Sequence, residues 1–247
     1  MDYNINFTDI QLSQHIQSYK GIKIKESLKE KIAEEEKMLD LINSSIFHCN
    51  RQIDNYNNLK KEGKYKEAST FEKIKNTFIS NKSIWNIAGF ITLVSIDIKT
   101  IQLGIYFAEN EWHKRFYARQ ACVIIYESCN DILELLGKEF KKDSSHLKNI
   151  NDIETSLIKI RKDLNVFKKS HSNYLQNVRN HTMAHKDKDV LKQLNIIKDI
   201  NWSNTIEIIV SFEENINSLG AVLKDLIQKG IKQLEYDTQQ ANINKPI

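Results

Sequence analysis

Residues 110–140 read NEWHKRFYARQACVIIYESCNDILELLGKEF. No proline interrupts this stretch, and no glycine occurs before Gly137. Trp112, Arg115, Arg119, Cys122, Tyr126, Cys129, Leu133 and Leu136 recur at alternating spacings of three and four, the mark of one helical stripe facing a core. Two arginines lie in that stripe. Burying them is costly unless each meets a carboxylate, a phosphate or solvent. Structural pairing with Asp or Glu answers for both, and Arg119 is the one placed to face a site instead.

The helical signal extends to either side. From Lys25 to Lys60 the residues Ile32, Leu39, Ile42, Ile46, Cys49, Ile53 and Tyr56 mark a second stripe, ending at the turn Lys61-Glu62-Gly63-Lys64. A helix carrying Phe71, Ile74 and Phe78 then folds back to make an αα-hairpin. Residues 84–107 form one or two apolar helices interrupted by Asp97 and Lys99. The run Ile87 to Ile96 is too short to cross a bilayer and reads as core. Beyond the opening stretch, 141–145 is a polar loop. A long helix then carries Leu157, Ile160, Leu164, Phe167, Tyr174 and Val178 in register up to Arg179. The charged run 186–189 precedes a short apolar patch at 190–197. The last helix takes Ser203 as its N-cap and runs to about Lys229. Residues 1–21 read as a partly ordered lead-in.

Composition agrees with an all-α class. The 247 residues include one proline, Pro246, and seven glycines, too few to punctuate a β-fold. Net charge is +4, a mild basic excess that suits a nucleic-acid partner without demanding one. Cys49, Cys122 and Cys129 are odd in number and unclustered, so neither a disulfide framework nor a cysteine zinc site is expected, and a reducing cytoplasm is. The N-terminal residues lack the pattern of a signal peptide. The expected division is a helical hairpin or arm over 1–83, a helical bundle over 84–235 and a polar tail over 236–247. No P-loop, Rossmann fingerprint, serine nucleophile elbow or zinc finger occurs.

The chemistry-bearing residues concentrate in Arg179-Asn180-His181-Thr182-Met183-Ala184-His185. A histidine titrates near neutrality and suits proton transfer, while a guanidinium stays charged and suits phosphate oxygens. Arg179 is therefore the candidate phosphate clamp and His185 the proton-transfer residue. Asn180 would orient either by hydrogen bonding. In an unbroken α-helix residues six apart point about 240° apart, so the helix bends within the motif or the site is composite across a dimer. Glu127 lies eight residues after Arg119, about 80° round the helix. It is a candidate to pair with Arg179 or position the histidine, against an ordinary ion pair. Lys186 and Lys188 either attract RNA phosphates or form a solvated run. His181, His185 and Asp189 would align as metal ligands on an intact helix, but no H-E-x-x-H glutamate accompanies them, so no metal is expected.

The Arg-Asn pair, the histidine six residues after the arginine and the two long helices resemble the HEPN family, particularly members in abortive-infection systems. The resemblance covers roughly residues 84–230. It implies a helical bundle that dimerises with two motifs facing each other. Many members cut RNA without a metal or cofactor, leaving a 2′,3′-cyclic phosphate; that chemistry needs the 2′-hydroxyl and so selects RNA. It implies a phage-defence or toxin role with an antitoxin or defence-system partner. The alternatives are a non-catalytic HEPN module that binds RNA, nucleotide or a partner protein, and a scaffold whose function lies in the arm. Some HEPN toxins carry a tyrosine two residues after the motif histidine that a nucleotidyltransferase modifies. Here that position is Asp187, which speaks against this form of control.

Overall fold

A computed structural model describes residues 3–184 and 188–243, with side chains throughout except at 65–71, 184 and 241–243. Every regular element among them is helical: α1 (Phe7–Ile16), α2 (Tyr19–Lys61), α3 (Tyr65–Phe107), α4 (Glu111–Leu135), α5 (Lys138–Ser144), α6 (Asn151–Arg179), a π-helical segment (Asn180–Ala184), α7 (Val190–Asp199) and α8 (Trp202–Ile243). The protein is all-α. Its contacts divide into one unit of Met1–Lys37, Thr92–Asp131 and Lys162–Ile216, and another of Met38–Ile91, Ile132–Arg161 and Asn217–Ile247. This division runs through five long helices.

In the second unit α2 and α3 form the expected hairpin. The chain reverses at Gly63, whose φ of 78° is the left-handed conformation that glycine adopts without steric cost. Cys49, Ile74 and Phe78 make a buried cluster with Ile53, Trp85 and Leu234 packed against it. Tyr56 donates from its hydroxyl to Glu72. Phe71, expected in this face, falls outside the described side chains. The apolar run at 87–96 lies inside the 43-residue α3. Its stretch Glu72–Phe107 is long and apolar enough to cross a membrane by length and composition, and half of the apolar window is buried within the protein.

The C-terminal reading needs correction. Helix α8 continues to Ile243, 14 residues past Lys229, through the stretch expected to be a polar tail. Asp237 is buried there, accepting from Thr77 Oγ1 at 3.0 Å and from Gln233 Nε2 at 2.9 Å. Its N-cap is Asn201, whose Oδ1 accepts from the Asn204 amide at 3.0 Å, and not Ser203. The expected loop at 141–145 is largely α5, which forms because Phe140 and Ser144 are buried.

A close approach in this unit gives a sign-inverting prediction. Exposed helical glycine to alanine ordinarily stabilises by about 1 kcal/mol. At Gly230 in α8 an added Cβ would lie 1.8 Å from Oδ1 of the buried Asn81, which donates from Nδ2 to the Gly230 carbonyl at 3.3 Å. Gly230→Ala should therefore destabilise by about 1–3 kcal/mol in chemical denaturation. Asn81→Ala in the same chain should recover most of the loss. A single variant as stable as wild type would contradict the packing.

In the first unit the buried faces of α4 (Ala118, Cys122, Ile125, Cys129), α6 (Leu164, Phe167, Leu175, Val178) and α8 (Ile209, Phe212) supply the core, with the Phe167 and Phe212 rings 5.7 Å apart. On α4 the buried line passes through Ile125 and Cys129, with Tyr126 only half-buried. Trp112 is exposed. The three cysteines are free and buried; burial pushes Cys122 and Cys129 up to about 12 and Cys49 to about 11. Lys99 sits at the buried side of α3 because Glu35 takes its ammonium at 2.8 Å, and Ser95 accepts from it. The lead-in, expected to be partly ordered, is docked from Asn4 onward. Asn6 caps α1, buried Asp9 accepts from the Ser203 amide at 3.2 Å, and Asn4 Nδ2 donates to Asp199 at 2.7 Å.

Candidate functional site

The α6 helix presents Arg179 as its last residue, and the backbone then changes register. Asn180–Ala184 is π-helical, with hydrogen bonds reaching one residue further than in an α-helix. Inside it the buried Thr182 donates from its hydroxyl to the Val178 carbonyl at 2.6 Å. That carbonyl is the acceptor an uninterrupted α-helix would give to the Thr182 amide, so the side chain competes with α geometry where it is lost. The departure begins directly after Arg179, within the motif. Helix α7 packs against the π-helical segment.

Arg179 is held from three sides. Its Nε donates to Glu127 Oε1 at 2.6 Å, and Nη2 reaches the same carboxylate oxygen. Nη1 donates to Asn180 Oδ1 at 2.8 Å. The guanidinium carbon stands 5.3 Å from the centre of the Tyr126 ring, within cation–π range. A guanidinium has five N–H donors, and these contacts commit three. Among the described residues one N–H on each terminal nitrogen is left over, on a side chain that keeps 23% of its exposure. Such a pair matches the geometry of a phosphate.

The structure thus brings together Arg179, Asn180 and Glu127 from the sequence candidates. Tyr126, read from the sequence only as part of an apolar stripe, joins them because it precedes Glu127 on α4. Arg119 does not join them. Its Nε donates to the Arg115 carbonyl at 3.3 Å, and its guanidinium lies 5.3 Å from Trp112 and 5.6 Å from Phe116. Among the described residues it meets no carboxylate, and burial lowers its pKa. Arg115 does take the expected structural partner, Glu111. Lys188 is exposed and His181 half-buried. His185, Lys186 and Asp187 lie outside the described residues.

The metal-ligand alignment drawn from an intact helix loses its premise. Asp189 is the N-cap of α7, accepting from the Lys192 amide at 3.1 Å, with extended backbone of its own. Among the described residues no cluster of three His, Cys, Asp or Glu is placed to hold a metal ion. No family, no curated protein and no solved structure matches the chain.

Proposed function

We propose that this chain is a HEPN-type, metal-independent endoribonuclease. The observation that carries the reading is the Arg179 guanidinium, fixed by Glu127, Asn180 and Tyr126, with two N–H groups that no described residue takes up. In this reading Arg179 grips a non-bridging phosphate oxygen and stabilises the charge that builds on it. The RNA 2′-oxygen loses its proton and attacks the adjacent phosphorus. The bond from phosphorus to the 5′-oxygen breaks, and that oxygen is protonated as it leaves. The products are a 2′,3′-cyclic phosphate and a 5′-hydroxyl. His185 supplies one of the two proton transfers. The second comes from the facing motif of a homodimer or from solvent. A cytoplasmic setting, a role in phage defence or as a toxin, and control by a partner protein belong to the same proposal.

A second reading draws on the Glu127 carboxylate, which already neutralises much of Arg179. A pre-paired arginine also suits a non-catalytic module that binds RNA, nucleotide or a partner. Incubation of purified protein with total RNA in EDTA separates the two. Wild type should yield fragments with cyclic-phosphate ends, and His185→Ala should lose 10²–10⁴-fold in rate. Binding without cutting selects the second reading, and full activity in His185→Ala rejects the first.

A further inference from the structure

We infer that the solvent face of α6 is a track for single-stranded RNA that leads to Asn180, the residue that holds Arg179. The inference takes its ligand class from the ribonuclease reading, and its own support comes from the composition and geometry of that face. Residues 164–186 contain no Asp or Glu, in a chain where the two together number 32. Lys162, Lys169, Asn173 and Gln176 are exposed. Their spacings of seven, four and three, followed by four to Asn180, keep all five within about 40° of one line along the helix. Asp163 and Arg179 both lie about 100° from that line, on opposite sides, Asp163 at its start and Arg179 beside Asn180, whose Oδ1 accepts from Arg179 Nη1. From Lys162 to Asn180 the line runs about 27 Å, room for several nucleotides.

The residue types divide the work. Lys162 and Lys169 supply cations for backbone phosphates ahead of the Arg179 clamp, the sequence-independent part of affinity. Between them and the clamp, Asn173 and Gln176 present amides, which donate to and accept from base edges. The line holds no aromatic ring, so binding here is by charge and hydrogen bonding and not by base stacking. An extended single strand satisfies both features, because its base edges are unpaired and its phosphates follow the helix.

The test is binding of the full chain to a fluorescein-labelled 20-nucleotide RNA, 2′-O-methylated so that it cannot be cut. Lys162→Gln with Lys169→Gln should weaken binding at least fivefold at 0.1 M salt. It should also flatten the log–log salt slope by about 1.4, for two lost phosphate contacts on a single strand. Lys29→Gln with Lys37→Gln, an equal charge change on exposed lysines of α2, should leave both unchanged. Asn173→Ala with Gln176→Ala should weaken binding with the salt slope retained. Circular dichroism checks that each variant folds. Failure of wild type to bind, or α6 variants no weaker than the α2 control, overturns the track. Unmodified RNA run in parallel separates the two ideas. Cleavage with no dependence on Lys162 and Lys169 leaves the ribonuclease reading standing alone. Track-dependent binding without cleavage leaves the track standing and removes the nuclease.

Discussion

Arg115→Ala should cost about 3 kcal/mol of stability, among the largest single losses this chain can suffer outside its apolar core. The Arg115 side chain is fully buried. Its guanidinium pairs with Glu111, donates to the Asn4 carbonyl at 2.9 Å and to the Lys198 carbonyl at 3.5 Å, and stands 4.8 Å from the Tyr3 ring. Truncation leaves a cavity, a half-buried Glu111 carboxylate with Lys114, at 3.3 Å, as its remaining cation, and two carbonyls that lose the Arg115 donor. Glu111 keeps Lys114 as a partner and 19% of its exposure, so the remaining cation and water offset part of the loss, which sets the figure at the low end for a broken buried pair. For a chain of this length the melting temperature should fall by about 6–12 °C. Arg115→Met retains most of the volume and leaves Glu111 paired with Lys114, so it should recover part of the deficit. A loss below about 1 kcal/mol in Arg115→Ala would mean that Lys114 satisfies Glu111 and water serves the two carbonyls.

The location of that loss is as informative as its size. Arg115 ties the residues before α1 to the end of α7 through two backbone carbonyls, and α7 packs on the π-helical segment. Amide exchange in Arg115→Ala should therefore quicken in residues 3–16 and 190–200 before it does in α4 or α6.

These contacts also explain what periodicity reveals and what it hides. The α2 stripe is legible because large apolar side chains repeat at helical spacing, and Ile42, Cys49 and Tyr56 are buried as that pattern requires. On α4 the same method is off by one position at Tyr126 and Leu133, since Ile125 and Ile132 are the buried residues. Small residues turn the face: Ala118 and Ala121 are fully buried yet add little to a stripe judged by bulk. The N-terminal residues and the end of α8 dock through Asn4, Asp9 and Asp237, whose polar partners lie 160 to 195 residues away in sequence. No local pattern carries such pairings. At the site, the Glu127 partnership is a candidate from charge and helix position, and a departure from α geometry within the motif is one of the two outcomes its six-residue offset allows. That the departure is a π turn rests on the Thr182 hydroxyl meeting the Val178 carbonyl, which spacing does not reveal. The conditional alignment of Asp189 with His181 needs one helix through both, and Asp189 instead caps α7.

Arg179→Lys separates a fork from a point charge at the proposed site, and cleavage should fall by 10²–10³-fold with no recovery at higher RNA concentration. Lysine keeps the charge but has no Nε branch to meet Glu127 while its other nitrogens face Asn180 and the substrate. Its ammonium would settle on the Glu127 carboxylate, leaving the phosphate without a rigid donor pair. Glu127→Gln probes the other half of the arrangement. It retains an acceptor for Arg179 Nε and removes the competing anion, so RNA affinity should rise two- to fivefold while the cleavage rate of bound RNA falls, because the guanidinium is less firmly aimed. That opposed change is what a positioning role demands. A purely structural ion pair would lower stability and leave affinity and rate together at wild-type values in the folded fraction. Arg179→Lys retaining more than a third of wild-type cleavage would remove the clamp from the mechanism.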